Sequence, residues 1–423
     1  MTSTIAAPPP VHTTNELGVG LLRQPSMVLF GAGQRRQIPR VVKAVAERVL
    51  MVTDARMAAS AEFGQLVEAL AQQGVSVALY DGTEPDLPRR NVLDVVARFG
   101  ASSIQAIVGI GGGSCMDLAK VASVVLRHGG DVRDYYGQFL VPGPGIPVIT
   151  VPTTGGTGAE VTCISVVFDE DQGMKVGVAS PHLEAHAAII DPELTLTCPP
   201  GLTAASGADA LSHLIESFTG RAKNPDADQL ATTLYAGKNV LADVYARNGL
   251  ALLNNSLPAV AADPSDLAAR SDTLFGAYCA GMAINSAGTA GAHAIQSPIG
   301  NLTHTPHGFG ISALLPYVMR YNLPTRIPEF AEIGRILGVA TTSDSEEQQA
   351  QSAIERIEVI LETLGAPLDL RTLGLEPADF DFVAKQAMLA TRLTANNPRE
   401  LTTGSVVSIL ERGHDGDRSW WQL

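Results

Sequence analysis

The sequence predicts an α/β nucleotide-binding domain over residues 1–198, followed by an all-α domain over residues 199–423. Up to residue 198, short runs rich in β-branched residues alternate with helical stretches, the pattern of a doubly wound parallel sheet. After DPELTLTCPPG (191–201), long Ala/Leu-rich segments follow with few strand signals, which indicates helices. The Pro-Pro-Gly at 199–201 is therefore the expected hinge between the two domains.

Individual elements follow from the same patterns. Strands that are apolar on both faces, as buried parallel strands are, are predicted at 48–55, 74–82, 103–113 and 146–154. A helix that ends at glycine is predicted at 60–74. Helices of the second domain are predicted at 203–219, 226–244, 264–285 and 346–364. The first residues, around Pro8 to Pro10, and the last eleven, GHDGDRSWWQL, are expected to be loose termini.

Composition excludes several classes of protein. Hydrophobic residues make up 45% and charged residues 17%, which is typical of a folded globular chain. The net charge of −14, with no Lys/Arg cluster, argues against nucleic acid as a partner. No apolar run approaches the roughly 20 residues of a membrane span. The four cysteines are scattered without CxxC pairing, which favours reduced thiols and a cytoplasmic location.

A glycine-rich turn is the first candidate site. The strand at 103–110 runs into GGGSCMDLAK, in which Gly111, Gly112, Gly113 and Ser114 open a helix. Glycines allow backbone N–H groups to approach a pyrophosphate, and a helix N-terminus adds partial positive charge. The G-x-G-x-x-S spacing lacks the third glycine of the usual dinucleotide fingerprint, so a simple tight connection remains an alternative.

Two acidic residues could bind the ribose of a dinucleotide. Asp131 lies about 20 residues beyond the glycines but follows a helix, so we discount it. Asp54 closes the strand at 48–53, where a carboxylate would accept from ribose hydroxyls and repel a 2′-phosphate. Asp54 could equally be the N-cap of the following helix, and both roles could coexist.

A second loop, PTTGGTGAEVT (152–162), directly follows a predicted strand. Its hydroxyl groups could hydrogen-bond to a cofactor while its glycines admit the ligand; ordinary turn chemistry would explain the composition about as well. The candidate side chains are Thr153, Thr154, Thr157 and Thr162.

A set of carboxylate and imidazole groups points to a metal. Asp209 and His213 are four apart on a predicted helix and therefore share one face, although an ordinary polar pair would have this spacing too. Downstream, His293, His304 and His307 fall within a short, poorly charged stretch. One carboxylate and three imidazoles suit one divalent ion, Fe²⁺ or Zn²⁺, and leave room for a substrate oxygen.

Four segments, GGGSCMDLAK, PTTGGTGAEVT, GADALSHLIESF and HAIQSPIGNLTHTPHG, resemble in order and spacing the signatures of the iron-dependent alcohol dehydrogenases. The resemblance implies a dehydroquinate synthase-like architecture, with metal ligands at Asp209, His213, His293 and His307 and with His304 as a non-ligand. It also implies cofactor contacts at Asp54, Gly112, Gly113, Ser114, Asp117, Thr153, Thr154, Thr157 and Lys175.

The chain departs from this family at two informative positions. Ser297 stands where members usually have a second histidine that is thought to help proton transfer. The proton could then move through Ser297 with water or the cofactor ribose, or through His304, and the sequence leaves this choice open. Asp86 stands where the family commonly has asparagine beside the cofactor.

The resemblance implies hydride transfer between a nicotinamide cofactor and a small alcohol/aldehyde or ketone pair. Asp54 favours NAD(H) over NADP(H) as that cofactor. The partners expected are that small molecule and further copies of the chain in a homo-oligomer, with a dimer as the first expectation. The alternatives are an enzyme like maleylacetate reductase or glycerol dehydrogenase, and a relative that binds cofactor without turnover.

Overall fold

The computed structural model describes residues 19–421, and within them the chain divides into two units. The α/β unit comprises residues 23–198, and the helical unit comprises residues 199–421 together with residues 19–22. Residues 19–22 belong to the helical unit, where the Ser286 hydroxyl donates to the backbone carbonyl of Leu21. The region around Pro8 to Pro10 lies outside the described residues.

The α/β unit contains two sheets and five α-helices. Its strands are β1 Met27–Phe30, β2 Arg48–Val52, β3 Ser76–Tyr80, β4 Ala106–Gly111, β5 Gly137–Gln138, β6 Val148–Pro152, β7 Ile164–Asp169, β8 Met174–Ala179 and β9 Ala187–Ile190. Its helices are α1 Ile38–Lys43, α2 Ala55–Ala58, α3 Ala61–Gln72, α4 Arg89–Phe99 and α5 Gly113–His128.

The larger sheet has the order β1-β9-β6-β4-β2-β3, and all of its neighbouring strands are parallel. Alternate side chains along β2 enter different cores: Leu50 and Val52 pack with α4 and α5, whereas Val49 and Met51 pack with α1 and α3. Helices on both faces explain why these strands are apolar throughout. The smaller sheet, β5-β8-β7, pairs β7 and β8 antiparallel.

The connections identify the edge of the large sheet where ligands bind. From β2 the chain proceeds to β3 on one side, and it then returns to β4 on the other side of β2. The strand order therefore reverses between β2 and β4. Ligands of open α/β sheets bind beyond the carboxyl ends of the strands at such a switch point. The segments that follow β2, β4 and β6 all lie at this edge because the strands are parallel.

The helical unit consists of α6 Pro200–Thr219, α7 Ala227–Thr232, α8 Val240–Ala262, α9 Leu267–Ala287, α10 Gly291–Thr303, α11 His307–Asn322, α12 Ile327–Ile336, α13 Glu346–Thr363, α14 Phe380–Leu389, α15 Thr391–Asn396 and α16 Thr403–Asp415. Helix α6 is buried at almost every position from Thr203 to its end. A helix buried on all sides must find partners for its polar side chains inside the protein. No described helix is long and apolar enough to cross a membrane.

The predicted fold class is confirmed: a parallel sheet with flanking helices precedes a helical part. Two local predictions were wrong. The segment 226–244 is not one helix, because α7 ends at Thr232 and α8 begins at Val240 after the N-cap Asn239. Between them Gly237 has φ 72°, and a Cβ there would lie 2.2 Å from the Arg221 carbonyl oxygen. This backbone geometry interrupts the helix.

The described part of the C-terminal stretch is not loose. Helix α16 continues to Asp415, and the rings of Trp420 and Trp421 pack against the core of the helical unit. The Arg320 guanidinium lies 4.6 Å from the centre of the Trp420 ring, and the Trp421 ring meets the Tyr321 ring edge-on at 5.2 Å. Aromatic burial and cation–π contacts therefore hold this segment.

Candidate metal centre and dinucleotide site

Three helices of the helical unit bring four predicted ligands together. Asp209 and His213 lie on consecutive turns of α6, His293 lies in the first turn of α10, and His307 begins α11. The Asp209 Oδ1 atom is 3.4 Å from the Nε2 atoms of His213 and His293, and 3.3 Å from that of His307. The Nε2 atoms of His213 and His293 are 3.0 Å apart. Asp209 Oδ1 is thus close to one nitrogen of each of the three imidazoles, and Asp209, His213 and His293 form a group that could hold a metal ion.

This arrangement passes a geometric test for a single ion. Ligands bound at about 2.0–2.2 Å are separated by roughly 3.0–3.5 Å when their bonds subtend octahedral or tetrahedral angles. The observed separations fall within this range. Asp209 is almost fully buried, and its Oδ1 atom has no hydrogen-bond partner among the described residues. A buried carboxylate oxygen without a partner is costly unless a cation compensates it.

The electrostatics of this cluster are strongly coupled. Burial alone would raise the pKa of Asp209, but the His213 and His307 imidazoles hold it well below its usual range. Burial dominates at His213 and lowers its pKa to about 4, so that ring is neutral near pH 7. At His293 burial opposes the charge, yet Glu216 and Asp209 together raise the pKa to about 9. A divalent cation bound here would supply the positive charge that the His293 proton supplies when no metal is bound.

Glu216 is a residue of this site that the sequence reasoning missed. It is buried on α6, and its Oε2 atom lies 2.6 Å from the His293 Nδ1 atom. The carboxylate also accepts hydrogen bonds from two backbone N–H groups at the start of α10. The signal was present in the sequence, because Asp209, His213 and Glu216 have i, i+4, i+7 spacing in an otherwise apolar segment.

The glycine-rich turn after β4 has a backbone geometry that requires glycine. A Cβ at Gly111, where φ is 150°, would lie 2.5 Å from the Cys115 Sγ atom. A Cβ at Gly113 would lie 2.8 Å from the Thr157 methyl group. Gly112 is the N-cap of α5 and offers no side-chain cap, so the first N–H groups of a 16-residue helix remain available to an anion.

Asp54 lies beside this turn, directly after β2. Its Oδ1 atom accepts from the Met57 backbone N–H at 2.8 Å, so the residue does cap α2. Its Oδ2 atom lies 3.9 Å from Cys115 Sγ and 3.6 Å from the Cβ position of Gly111. Asp131, by contrast, caps the short 3₁₀ turn at 132–135 and pairs with Arg89.

The second loop meets the first at the same edge of the sheet. Thr153 is buried and its backbone N–H donates to the Gly111 carbonyl at 2.9 Å. The Thr154 Oγ1 atom lies 3.7 Å from the Cβ position of Gly112, and Thr157 packs on Gly113. These three threonines are therefore close to the glycine turn.

Two further predicted cofactor residues are in a different environment. The fully buried Lys120 ammonium donates to the carbonyls of Ala159, Thr162 and Ile164 and pairs with Asp117 at 3.1 Å. Asp117 also accepts from the Val166 backbone N–H at 3.0 Å. Asp117 and Thr162 thus take part, through Lys120, in the contacts that fix the 159–166 segment to α5.

Lys175 lies on β8 and pairs with Asp86 at 2.6 Å. The Asp86 carboxylate follows β3 in a turn where two consecutive residues are left-handed, with φ of 62° and 46°. Non-glycine residues adopt this conformation only when their surroundings enforce it. The ammonium of Lys175 is therefore already paired with Asp86, which stands where the family commonly has asparagine.

The two predicted proton-transfer residues lie in the middle and at the C-terminal end of α10. Ser297 is partly buried, one turn beyond His293. His304 is exposed and ends α10 in a left-handed conformation with φ 54°. Within residues 19–421, neither side chain hydrogen-bonds to one of the four predicted ligands.

Comparison with known proteins agrees with these features. Residues 25–192 match the family model described as iron-containing alcohol dehydrogenase, and residues 203–413 match the C-terminal model of the Fe-containing alcohol dehydrogenase family. The chain is 34% identical to long-chain-alcohol dehydrogenase 1 of Geobacillus thermodenitrificans, over 90% of this chain and 92% of that protein. It is 30% identical to the NAD-dependent methanol dehydrogenase of Bacillus methanolicus, over 92% of this chain and 98% of that protein. The solved structure of a 1,3-propanediol oxidoreductase covers 93% of this chain and all of that one, with a TM-score of 0.87 and 29% identity.

Proposed function

The chain belongs to the iron-containing alcohol dehydrogenase family, whose members are oxidoreductases acting on alcohols and aldehydes, and on that basis we propose how its own residues perform this reaction. One divalent metal is held by Asp209, His213, His293 and His307. NAD(H) binds at the carboxyl edge of the large sheet. The observation that carries the proposal is that Asp209 Oδ1 lies 3.3–3.4 Å from one nitrogen of each of three imidazoles, two of which are 3.0 Å apart.

We propose Fe²⁺ as the native metal, with Zn²⁺ as the alternative. The family description favours iron, whereas the donor set of one carboxylate and three imidazoles accepts either ion. A buried site with a single negative ligand leaves the bound cation with a net positive charge. That charge favours an oxygen of the substrate that becomes more negative during the reaction.

Held by these residues, a divalent metal would supply Lewis acidity towards the alcohol or carbonyl oxygen, and a bound nicotinamide would supply or accept the hydride. The protein supplies position and environment. Asp209 and His213 are fixed on α6, which is buried at almost every position from Thr203 to its end, so their ligand atoms have little freedom to move. The burial of these two side chains excludes water from that side of the site, which strengthens the electrostatic contacts there. The proton of the alcohol moves by Ser297 with water or the cofactor ribose, or by His304.

We propose that the dinucleotide is held by two loops. Backbone N–H groups of Gly112, Gly113 and Ser114 bind the pyrophosphate at the N-terminus of α5, and Gly111 permits the turn that brings them there. The hydroxyl groups of the second loop and Lys175 complete the site, and Asp117 and Thr162 support it through Lys120. The hydroxyl groups concerned are those of Thr153, Thr154 and Thr157.

We propose a preference for NAD(H) over NADP(H), and the support is the position of Asp54. One carboxylate oxygen is engaged in capping α2, and the other lies beside the glycine turn. A ribose hydroxyl would donate to this oxygen, whereas a 2′-phosphate would meet a like charge. A cytoplasmic location and a homodimer are also proposed; four buried cysteines that form no disulfide suit a reducing compartment.

Metal analysis combined with a turnover screen tests the proposal. Protein purified without chelator should contain close to one iron or zinc per chain, and should oxidise NADH in the presence of short aldehydes or ketones. Removal of the metal should abolish turnover, and Fe²⁺ or Zn²⁺ should restore it. Protein that binds NADH but shows neither metal nor turnover across the panel would instead support the non-catalytic alternative.

A further inference from the structure

Glu216 connects two parts of the proposed metal centre. Glu216 lies on the turn of α6 that follows His213, and its side chain is only 5% exposed. The Oε1 atom accepts from the Ala292 N–H at 2.6 Å, and the Oε2 atom accepts from the Ala290 N–H at 2.9 Å and lies 2.6 Å from His293 Nδ1. One buried carboxylate thus has three partners, all of them at the start of α10.

The backbone contacts show that Glu216 completes the N-terminus of α10. Helix N-termini leave their first N–H groups without intrahelical acceptors. The N-cap of α10 is Ala290, which has no side chain that could accept them. Glu216 of α6 accepts hydrogen bonds from these N–H groups from outside the helix. It thereby fixes the first turn of α10 against α6, and His293 is the third residue of that turn.

The contact with the ring has a separate chemical consequence. An ionised carboxylate can only accept a hydrogen bond, so the ring must present Nδ1–H to Glu216. In the neutral ring, the Nε2 atom then carries the lone pair, and it is this atom that faces Asp209 Oδ1 at 3.4 Å. The opposite tautomer would direct an N–H at the position where the metal is proposed.

We propose that Glu216 is a positioning residue of the metal centre: it selects the tautomer and orientation in which His293 binds the metal through Nε2. This inference rests on the proposed function, because it requires that His293 is a ligand. Carboxylates that accept the second N–H of a metal-bound histidine typically contribute 10- to 100-fold in metal affinity.

Metal titration of the Glu216→Gln variant tests this role. Glutamine has the same shape and retains one carbonyl acceptor for the start of α10, but its amide group cannot accept at both oxygen positions. Metal-free protein would be titrated with Co²⁺ in competition with a chromophoric chelator, and the visible absorption of the bound Co²⁺ would be recorded. We expect at least a tenfold loss of Co²⁺ affinity and an altered spectrum, with the thermal midpoint of the metal-free protein changed by only a few degrees.

Ser217→Ala is the matched control. Ser217 is the next residue of α6, it is fully buried, and its hydroxyl donates to the Leu214 carbonyl rather than to α10. The Ser217→Ala variant should bind Co²⁺ with the same affinity as the parent protein. Glu216→Gln in a His293→Ala background should cause no further loss of affinity, because Glu216 acts through that ring. A further loss as large as in the parent background would overturn the proposal, as would parental affinity and spectrum in Glu216→Gln alone.

A measurement on the unmodified protein keeps the test independent of how the variant folds. ¹⁵N-histidine NMR of the Zn²⁺-loaded parent should show His293 with a protonated Nδ1 and a metal-bound Nε2. A metal-bound Nδ1 in this residue would refute the inference. Failure of the parent to bind Co²⁺ or Zn²⁺ would refute the proposed function itself, whereas parental binding by Glu216→Gln would refute only the role of Glu216.

Discussion

The contact between α6 and α11 makes Gly308→Ala an informative perturbation. Gly308 is the second residue of α11 and directly follows His307. A Cβ at this position would lie 1.8 Å from the Ala205 carbonyl oxygen on α6. Cβ atoms essentially never approach closer than 3.0 Å, so the first turn of α11 would have to move by at least 3.0 − 1.8 = 1.2 Å. Metal sites tolerate deviations of only about 0.2 Å in their bonds.

We therefore expect Gly308→Ala to lose at least tenfold in metal affinity and to lose its aldehyde-dependent NADH oxidation. Overpacking of this kind costs roughly 1–3 kcal/mol, so the variant should still fold with a lower thermal midpoint. Affinity for Co²⁺ measured by chelator competition, together with NADH binding by fluorescence, would separate loss of metal from loss of fold. NADH binding should remain parental.

Gly201→Ala provides the control. It lies in the first turn of α6, and a Cβ there would meet no atom within 4 Å. Its metal content and activity should match those of the parent. If Gly308→Ala binds metal as tightly as Gly201→Ala does, the close approach of α11 to α6 does not set the position of His307, and the reasoning is refuted.

Three other outcomes are expected. His293→Ala should lose metal and activity but retain NADH binding, and metal content equal to the parent would argue against its role as a ligand. Asp54→Gly should raise kcat/KM for NADPH relative to NADH, and equal use of both cofactors by the parent would contradict the assignment. If His304 relays the proton, His304→Ala should lower kcat with metal retained and remove a titration from the pH–rate profile, whereas an unchanged profile assigns the step to Ser297 with water or to the ribose.

The sequence contained most of the information needed for the α/β unit. Strands that are buried on both faces have a continuous apolar signal, and β2, β3, β4 and β6 lie within the predicted segments. Strands β1 and β9 and the small sheet were not predicted: β1 is only partly buried, and β9 is fully buried but only four residues long. These strands are stabilised by pairing with strands from distant parts of the chain, and a short stretch of sequence carries no information about that pairing.

The candidate metal centre shows a similar limit. Helical spacing predicts that Asp209 and His213 share a face, but the approach of His293 and His307 depends on how α10 and α11 pack on α6. Glu216 was missed because a glutamate on a helix is most often solvated, and only burial reveals its role. Likewise, nothing local in the sequence distinguishes the buried Lys120 from an exposed lysine.

All four proposed ligands belong to one stretch of chain, from α6 to the start of α11, within the helical unit. An ion that binds only the folded form of this unit stabilises it by RT ln(1 + [M]/Kd), which is about 2.7 kcal/mol at 100 times the dissociation constant. Metal supply would then govern how much enzyme survives as well as how much is active. Under metal starvation, the metal-free protein would unfold more often and would therefore be more susceptible to proteolysis than the metal-bound form.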